Sequence, residues 1–303
     1  MKRGKGVNIT ITGASGLVGR RLLHALGAAG HSLHVLSRYS GTNLPQGVRL
    51  SIWDPDRVPP RESLEDADVV VHLAGEPVAQ RWSAQAKKRI RDSRVLGTQR
   101  LVEGLAGLTR RPAALVAASA VGYYGSRGDE ILDESSPPGS GFLPEVCTEW
   151  ETAARGAAAL GVRVVMIRIG VVLDPRGGAL ARMLPPFRAG AGGRLGSGRQ
   201  WMSWIHAADL VALFLFAIDY PLSGPVNGVA PFPVSNREFT HELGRALHRP
   251  VVFPVPEFVL KALFGEMAGI LLASQRTAPR AAEAAGFRFR FPQLGPALTD
   301  LLQ

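Results

Sequence analysis

Val7-Asn8-Ile9-Thr10-Ile11-Thr12-Gly13-Ala14-Ser15-Gly16-Leu17-Val18-Gly19 changes character twice within a few residues. The first six residues read as a short buried strand. Leu22, Leu23 and Leu26, ahead of His31, mark the apolar face of a helix. A glycine-rich turn between a first strand and a first helix is an arrangement that binds a dinucleotide. Gly13 permits the tight turn, Gly16 lets backbone approach a pyrophosphate, and Gly19 lets helix and sheet pack closely. Ser15, Leu17 and Val18 complete the turn, and the free N–H groups of the helix start face the phosphate charge. The glycines are spaced three and three, where the ordinary form has two and three.

Outward from this stretch, composition bounds the rest. The 303 residues suffice for a full core and for two domains. An apolar fraction of 46% excludes a disordered chain. Residues 210–218 are apolar, but Asp209 and Asp219 bracket a run too short to cross a bilayer, so no membrane partner is expected. Met1-Lys2-Arg3 is basic, yet the first strand begins too early for a signal peptide. Cys147 is the only cysteine, which rules out an intramolecular disulfide and fits a reducing cytoplasm. The formal charge of +10 raises nucleic acid as a partner, but the basic residues are scattered and form no long run. They are read as solvated charge and contacts to an anionic cofactor.

Further strands and helices alternate along the chain. Residues 32–37 form a second strand, with Ser37 and Arg38 at its end. An acidic residue there would hold the ribose hydroxyls of NAD; Arg38 instead suits the 2′-phosphate of NADP, with Ser37 donating to the same group. The bland alternative is an exposed surface arginine. Residues 48–52 form a third strand ending at Asp54, which serves either an adenine amino group or the following turn. Residues 68–73 form a fourth. Leu73-Ala74-Gly75-Glu76 leaves it at the edge where a cofactor lies, and Glu76 alternatively faces substrate. A long, partly basic helix over 82–108, a fifth strand over 112–119 ending at Ser119, a polar loop over 128–141, a helix over 143–160 and a sixth strand over 162–169 follow. The alternation predicts an α/β, Rossmann-type doubly wound parallel sheet. Helical pieces are expected at 205–218, 236–247, 257–272 and 279–285, with a return to the sheet at 225–229. The expected division is a nucleotide-binding domain of residues 1–172 plus 205–230, and a smaller, mostly helical C-terminal lobe of residues 173–204 and 231–303.

Longer strings carry a resemblance. Gly13-Ala14-Ser15-Gly16-Leu17-Val18-Gly19, His72-Leu73-Ala74-Gly75-Glu76-Pro77, Ser119-Ala120-Val121-Gly122-Tyr123-Tyr124-Gly125, residues 196–206 and Ser274-Gln275-Arg276 resemble the extended short-chain dehydrogenase/reductase superfamily, and within it the bacterial epimerase family of oxidoreductases. The resemblance implies NADP(H), a Rossmann domain and hydride transfer at a carbonyl or hydroxyl carbon of a small molecule. Members of the superfamily act through a Ser and a Tyr-x-x-x-Lys pair. The tyrosine exchanges a proton, and the lysine lowers its pKa and holds the nicotinamide ribose. Ser119 fits the serine. Cys147 stands where the tyrosine is expected and Glu151 where the lysine is.

That departure opens alternatives. Tyr123 and Tyr124 are both candidate proton donors. Glu151 is a candidate ribose acceptor. Cys147 lies on the substrate side, as a small apolar residue rather than a nucleophile, since Glu145, Glu149 and Glu151 surround it in sequence. Arg168 closes the sixth strand and leads toward the nicotinamide. Arg194, Arg199 and Trp201 lie on the substrate side, the two arginines clamping a carboxylate or phosphate or else tying the lobes together. His206 reads as structural. His241 and His248 share a helix with no third metal ligand. A sensor that binds NADP without catalysis is the rival function. Pairing of the 82–108 and 143–160 helices would make a homodimer. Lys87, Lys88, Arg91 and Arg94 weigh against it and tilt the balance to a monomer.

Overall fold

The computed structural model describes residues 6–40 and 44–303; the basic start at Met1-Lys2-Arg3 lies outside them. Strand β1 (Asn8–Thr12) runs between β2 (Ser32–Ser37) and β4 (Val69–His72). β3 (Arg49–Ile52) extends the sheet beyond β2, and β5 (Ala114–Ala120) extends it beyond β4. The order of the seven-stranded sheet is β3-β2-β1-β4-β5, then β7 (Arg163–Ile169) and β11 (Gly224–Gly228), with all pairs parallel. Strand order reverses between β1 and β4, which opens a crevice at their carboxyl ends.

A parallel sheet must be covered on both faces, and the alternation within each strand shows both covers. Ile9, Ile11, Val69, Val71 and Val116 meet the helices α1 (Leu17–Ala28) and α5 (Ala207–Asp219) through Leu22, Leu26, Leu213 and Phe214. Val70, Leu115 and Ala117 point the other way, to Leu101 and Leu105 of α2 (Ala84–Ala106) and Ala154 of α3 (Phe142–Arg155). Ser83 caps α2 by accepting from the Ala86 N–H at 3.1 Å.

A separate apolar cluster builds the second lobe. Leu180, Leu184 and Phe187 of α4 (Gly178–Arg188) meet Phe239 and Leu243 of α6 (Asn236–Leu247), with Trp204 buried among them. Three short pairings form outside the seven-stranded sheet: β8 (Val171–Leu173) with β10 (Trp204–His206), β9 (Trp201–Met202) with β12 (Val234–Ser235), and β6 (Ile131–Leu132) with β13 (Arg276–Thr277).

Several boundaries differ from the sequence expectation. The polar stretch 128–141 contains β6, because Arg276 and Thr277 offer it a partner far along the chain. The 205–218 helix starts at Ala207, since Trp204–His206 pairs with β8 and His206 Nδ1 then accepts from the Ala208 N–H at 3.0 Å. The 143–160 helix stops at Arg155 and continues as tight 3₁₀ turns to Leu160. The 257–272 segment divides at Gly265, whose φ is +59°, into α7 (Glu257–Phe264) and α8 (Ala268–Leu272). Residues 280–284 form α9 (Arg280–Ala284), and α10 (Leu294–Leu302), which the apolar pattern had not marked, seals the second cluster through Leu294, Ala297 and Leu298. Among the described residues no helix is long and apolar enough to cross a membrane.

Candidate active site

The glycines after β1 have different tasks. Gly13 has φ +72°, and a Cβ there would lie 2.6 Å from the Leu73 carbonyl carbon. A Cβ on Gly19 would lie 2.2 Å from the Gly13 carbonyl oxygen. Both positions are therefore closed to side chains by the protein itself. Gly16 is exposed, and its nearest obstacle is the Gly13 oxygen at 3.3 Å. It caps α1 with no side-chain hydrogen bond, which leaves first-turn N–H groups to a ligand or water. The open cradle and the uncapped helix fit a pyrophosphate. Ser15 is exposed and Leu17 and Val18 are half-buried on its rim.

β4 ends in a buried chain of hydrogen bonds. Thr12 Oγ1 accepts from the N–H groups of Leu73 and Ala74 at 3.2 and 3.1 Å, so its own proton goes to His72 Nδ1 at 2.7 Å. Thr98 Oγ1 donates to the Arg94 carbonyl at 2.5 Å and faces His72 Nε2 at 3.0 Å. His72 must then carry its proton on Nε2. Burial pulls its pKa down to about 4. The neutral imidazole thus fixes the backbone of Leu73 and Ala74 over the glycine turn. Ser93 accepts the Glu76 N–H at 2.9 Å, while the Glu76 carboxylate is drawn to Gln80 and Arg89.

At the end of β5, Ser119 is 3% exposed and donates to Glu151 Oε1 at 2.8 Å. Arg168 grips the same carboxylate in a fork, Nε to Oε1 at 2.7 Å and Nη2 to Oε2 at 2.9 Å. Arg155 adds a third cationic contact at 3.0 Å. Burial opposes the Arg168 charge, but Glu151 and the Tyr124 oxygen outweigh it and raise its pKa. Glu151 and Arg168, both expected at the cofactor, pair with each other inside the protein.

The two tyrosines, equivalent in the sequence, are distinct in the fold. Tyr124 is fully buried. Its hydroxyl accepts from Arg168 Nη1 at 2.9 Å and lies 2.8 Å from Asn227 Oδ1 and 2.9 Å from the Asp133 carbonyl. Burial pushes its pKa up to about 12. Tyr123 packs edge-on against Tyr124 and carries the Arg168 guanidinium 3.5 Å from its ring centroid. Among the described residues no group hydrogen-bonds its hydroxyl. Cys147 is buried, its sulfur takes the Ala120 N–H, and burial pushes the thiol up to about 12, so it remains protonated and inert.

The outer residues are more dispersed. Arg38 is exposed at the end of β2, its guanidinium 5.5 Å from the Tyr39 ring centroid. Ser37 Oγ accepts from the Tyr39 N–H at 3.2 Å. Asp54 accepts from the Asp56 N–H at 3.2 Å and so closes the turn after β3. Arg194 bonds the Ser197 carbonyl at 3.1 Å and lines a groove of about 180 Å³ beside Arg237 and His241, while Arg199 is exposed. Neither arginine bonds the Ser119 cluster. Trp201 is held by Asp129 at 2.7 Å and lies under Arg276.

Sequence reasoning missed two contributors. Gln275 donates to the Val121 carbonyl at 3.0 Å and braces the turn after Ser119. Arg94, read as part of a charged helix face, faces inward against Gly75. Its i+4 spacing from Ile90, an apolar residue on the buried face of α2, is the signal that could have found it.

The fold and the motif order have close counterparts. Residues 9–230 match the model of the NAD dependent epimerase/dehydratase family, and residues 255–301 match a domain of unknown function, DUF1731. An epimerase family protein of Mycobacterium bovis is 46% identical over 295 residues, spanning 96% of each chain. The chloroplastic SDR39U1 homolog of Arabidopsis thaliana is 42% identical, spanning 98% of this chain and 87% of that one. The crystal structure of human epimerase family protein SDR39U1 with NADPH matches with a TM-score of 0.88 at 34% identity, spanning 98% of this chain and 99% of that one. With the sheet order, the glycine cradle and both matched regions in agreement, the chain belongs to the NAD dependent epimerase/dehydratase family.

Proposed function

We propose that the protein binds NADPH across the carboxyl ends of β1 and β4 and interconverts a carbonyl and a hydroxyl on a small molecule. The NADPH in the human relative supports the cofactor, as do the open Gly16 and the exposed Arg38 at the end of β2. When bound, NADPH supplies the hydride. The protein orients the reactants and manages one proton.

The single observation that carries the reading is the unengaged hydroxyl of Tyr123, three residues past β5 and backed by Arg168. In the reductive direction Tyr123 gives its proton to the carbonyl oxygen as hydride reaches the carbon, and takes another from water. A fixed guanidinium beside a group that releases a proton is preorganised for that step. Ser119 donates its hydroxyl hydrogen bond to Glu151, so its lone pairs are left to accept from the hydroxyl of the product. Tyr124 holds the turn rigid. Loss of nicotinamide absorbance over a panel of aldehydes and ketones tests this. Tyr123→Phe should lower kcat by roughly 100-fold or more with NADPH affinity unchanged. Tyr124→Phe should act chiefly on Tm. Unaltered turnover in Tyr123→Phe would reject the role.

One observation favours a second reading, an NADPH-responsive protein without turnover. Ser119, Cys147 and Glu151 occupy the three expected catalytic stations, and all are buried and committed to neighbours. Intact NADPH binding with no turnover across the panel would select it.

A further inference from the structure

Arg94 has no part in that scheme. Its guanidinium carbon would lie 3.1 Å from a Cβ on Gly75 and sits 5.2 Å from the centroid of the Trp150 ring. Nη1 donates to the carbonyls of Glu76 and Ile90 at 2.9 and 3.1 Å. Among the described residues, Nε and Nη2 make no hydrogen bond and no carboxylate pairs with the charge. Burial lowers its pKa, against the pull of Cys147 and Glu76. The neighbouring Trp150 indole N–H is buried without a partner. The guanidinium is half-buried, and its three N–H groups without a protein partner are open to a ligand rich in oxygen.

We propose that Arg94 holds the nicotinamide-side ribose hydroxyls of NADPH, from the helix opposite the one that carries the superfamily's lysine. The inference rests on the NADPH reading above. Three placements support it. Strand order reverses between β1 and β4, and Arg38 lies on the β2 side, so the nicotinamide half belongs on the β4–β5 side with Gly75 and Arg94. Glu151, at the lysine's position, is closed off by Ser119, Arg155 and Arg168. Arg94 also lies against Trp150, one turn along α3 from Cys147 at the tyrosine's position, so it reaches the same corner from the other side.

Calorimetric titration of NADPH and of 2′,5′-ADP separates the alternatives, because 2′,5′-ADP keeps the adenosine and 2′-phosphate and lacks the second ribose. Arg94→Met should weaken NADPH roughly 10- to 100-fold and leave 2′,5′-ADP within about twofold. Arg94→Lys should fall between, and Arg94→Gln provides a second neutral variant if Arg94→Met does not fold. An arginine that only pins the Glu76 loop would weaken both ligands alike; that result, or unchanged NADPH affinity, overturns the proposal. Arg38→Ala should weaken both ligands. Failure of the unaltered protein to bind either one would overturn the NADPH reading itself, and this inference with it.

Discussion

Glu151 stands where the superfamily has a positive charge, and Arg168 brings that charge back from the neighbouring strand β7. The pair is buried on both sides, so removing Arg168 leaves the Glu151 carboxylate with only the half-exposed Arg155 as a cation in a medium that solvates it poorly. Arg168→Met should cost about 3–5 kcal/mol in denaturant unfolding. The double variant Glu151→Leu/Arg168→Met should lose less than Arg168→Met alone. His72 makes a second prediction at this scale. Its folded pKa is near 4 against an ordinary 6.5. Between those values the unfolded chain binds the extra proton, so stability present above pH 6.5 is lost as pH falls to 4. The loss attributable to His72 is about 3 kcal/mol. Melts at pH 7 and pH 4.5, compared with His72→Asn, should show a shallower pH dependence in the variant.

The glycine turn shows, at the scale of elements, what a motif does and does not reveal. Gly19→Ala should destabilise by roughly 1–3 kcal/mol, because its Cβ meets backbone. Gly16→Ala should change Tm little and weaken NADPH, measured by titration. The sheet strands and α1, α2, α3 and α6 were legible because each buries a long face with a clear period. The pairs β6–β13, β8–β10 and β9–β12 were not, since two or three residues carry no period and their partners lie far along the chain. The same limit hid the choice between Tyr123 and Tyr124. Both lie on a 3₁₀ turn, and Asn227 and Arg168, from distant strands, with the Asp133 carbonyl, decide which hydroxyl is consumed. Arg94 was concealed by company: five basic residues within eight positions read as a solvated face, though the helix turns this one inward.

For the whole molecule, the charge argument against self-association weakens once partners are known. Lys87 pairs with Glu266, Lys88 with Asp92 and Arg91 with Glu149, while Arg94 points inward. The outer face of α2 and α3 then presents Val95, Leu96, Val102 and Ala153 along a groove of about 750 Å³. Sedimentation equilibrium is expected to show a mass near twice 32.3 kDa, and Leu96→Asp should return it to 32.3 kDa; a monomer at every concentration would restore the weight of the repulsion. The tie from Gln275 to Val121 also has a bearing on biosynthesis. Those residues are 154 positions apart. At ribosomal speeds of about 5–20 residues per second, the turn after Ser119 waits roughly 8–30 s for its brace to be made. The core under the glycine turn also draws on Leu213, Phe214 and Phe287, so the cradle and the turn after Ser119 are both finished only late in synthesis.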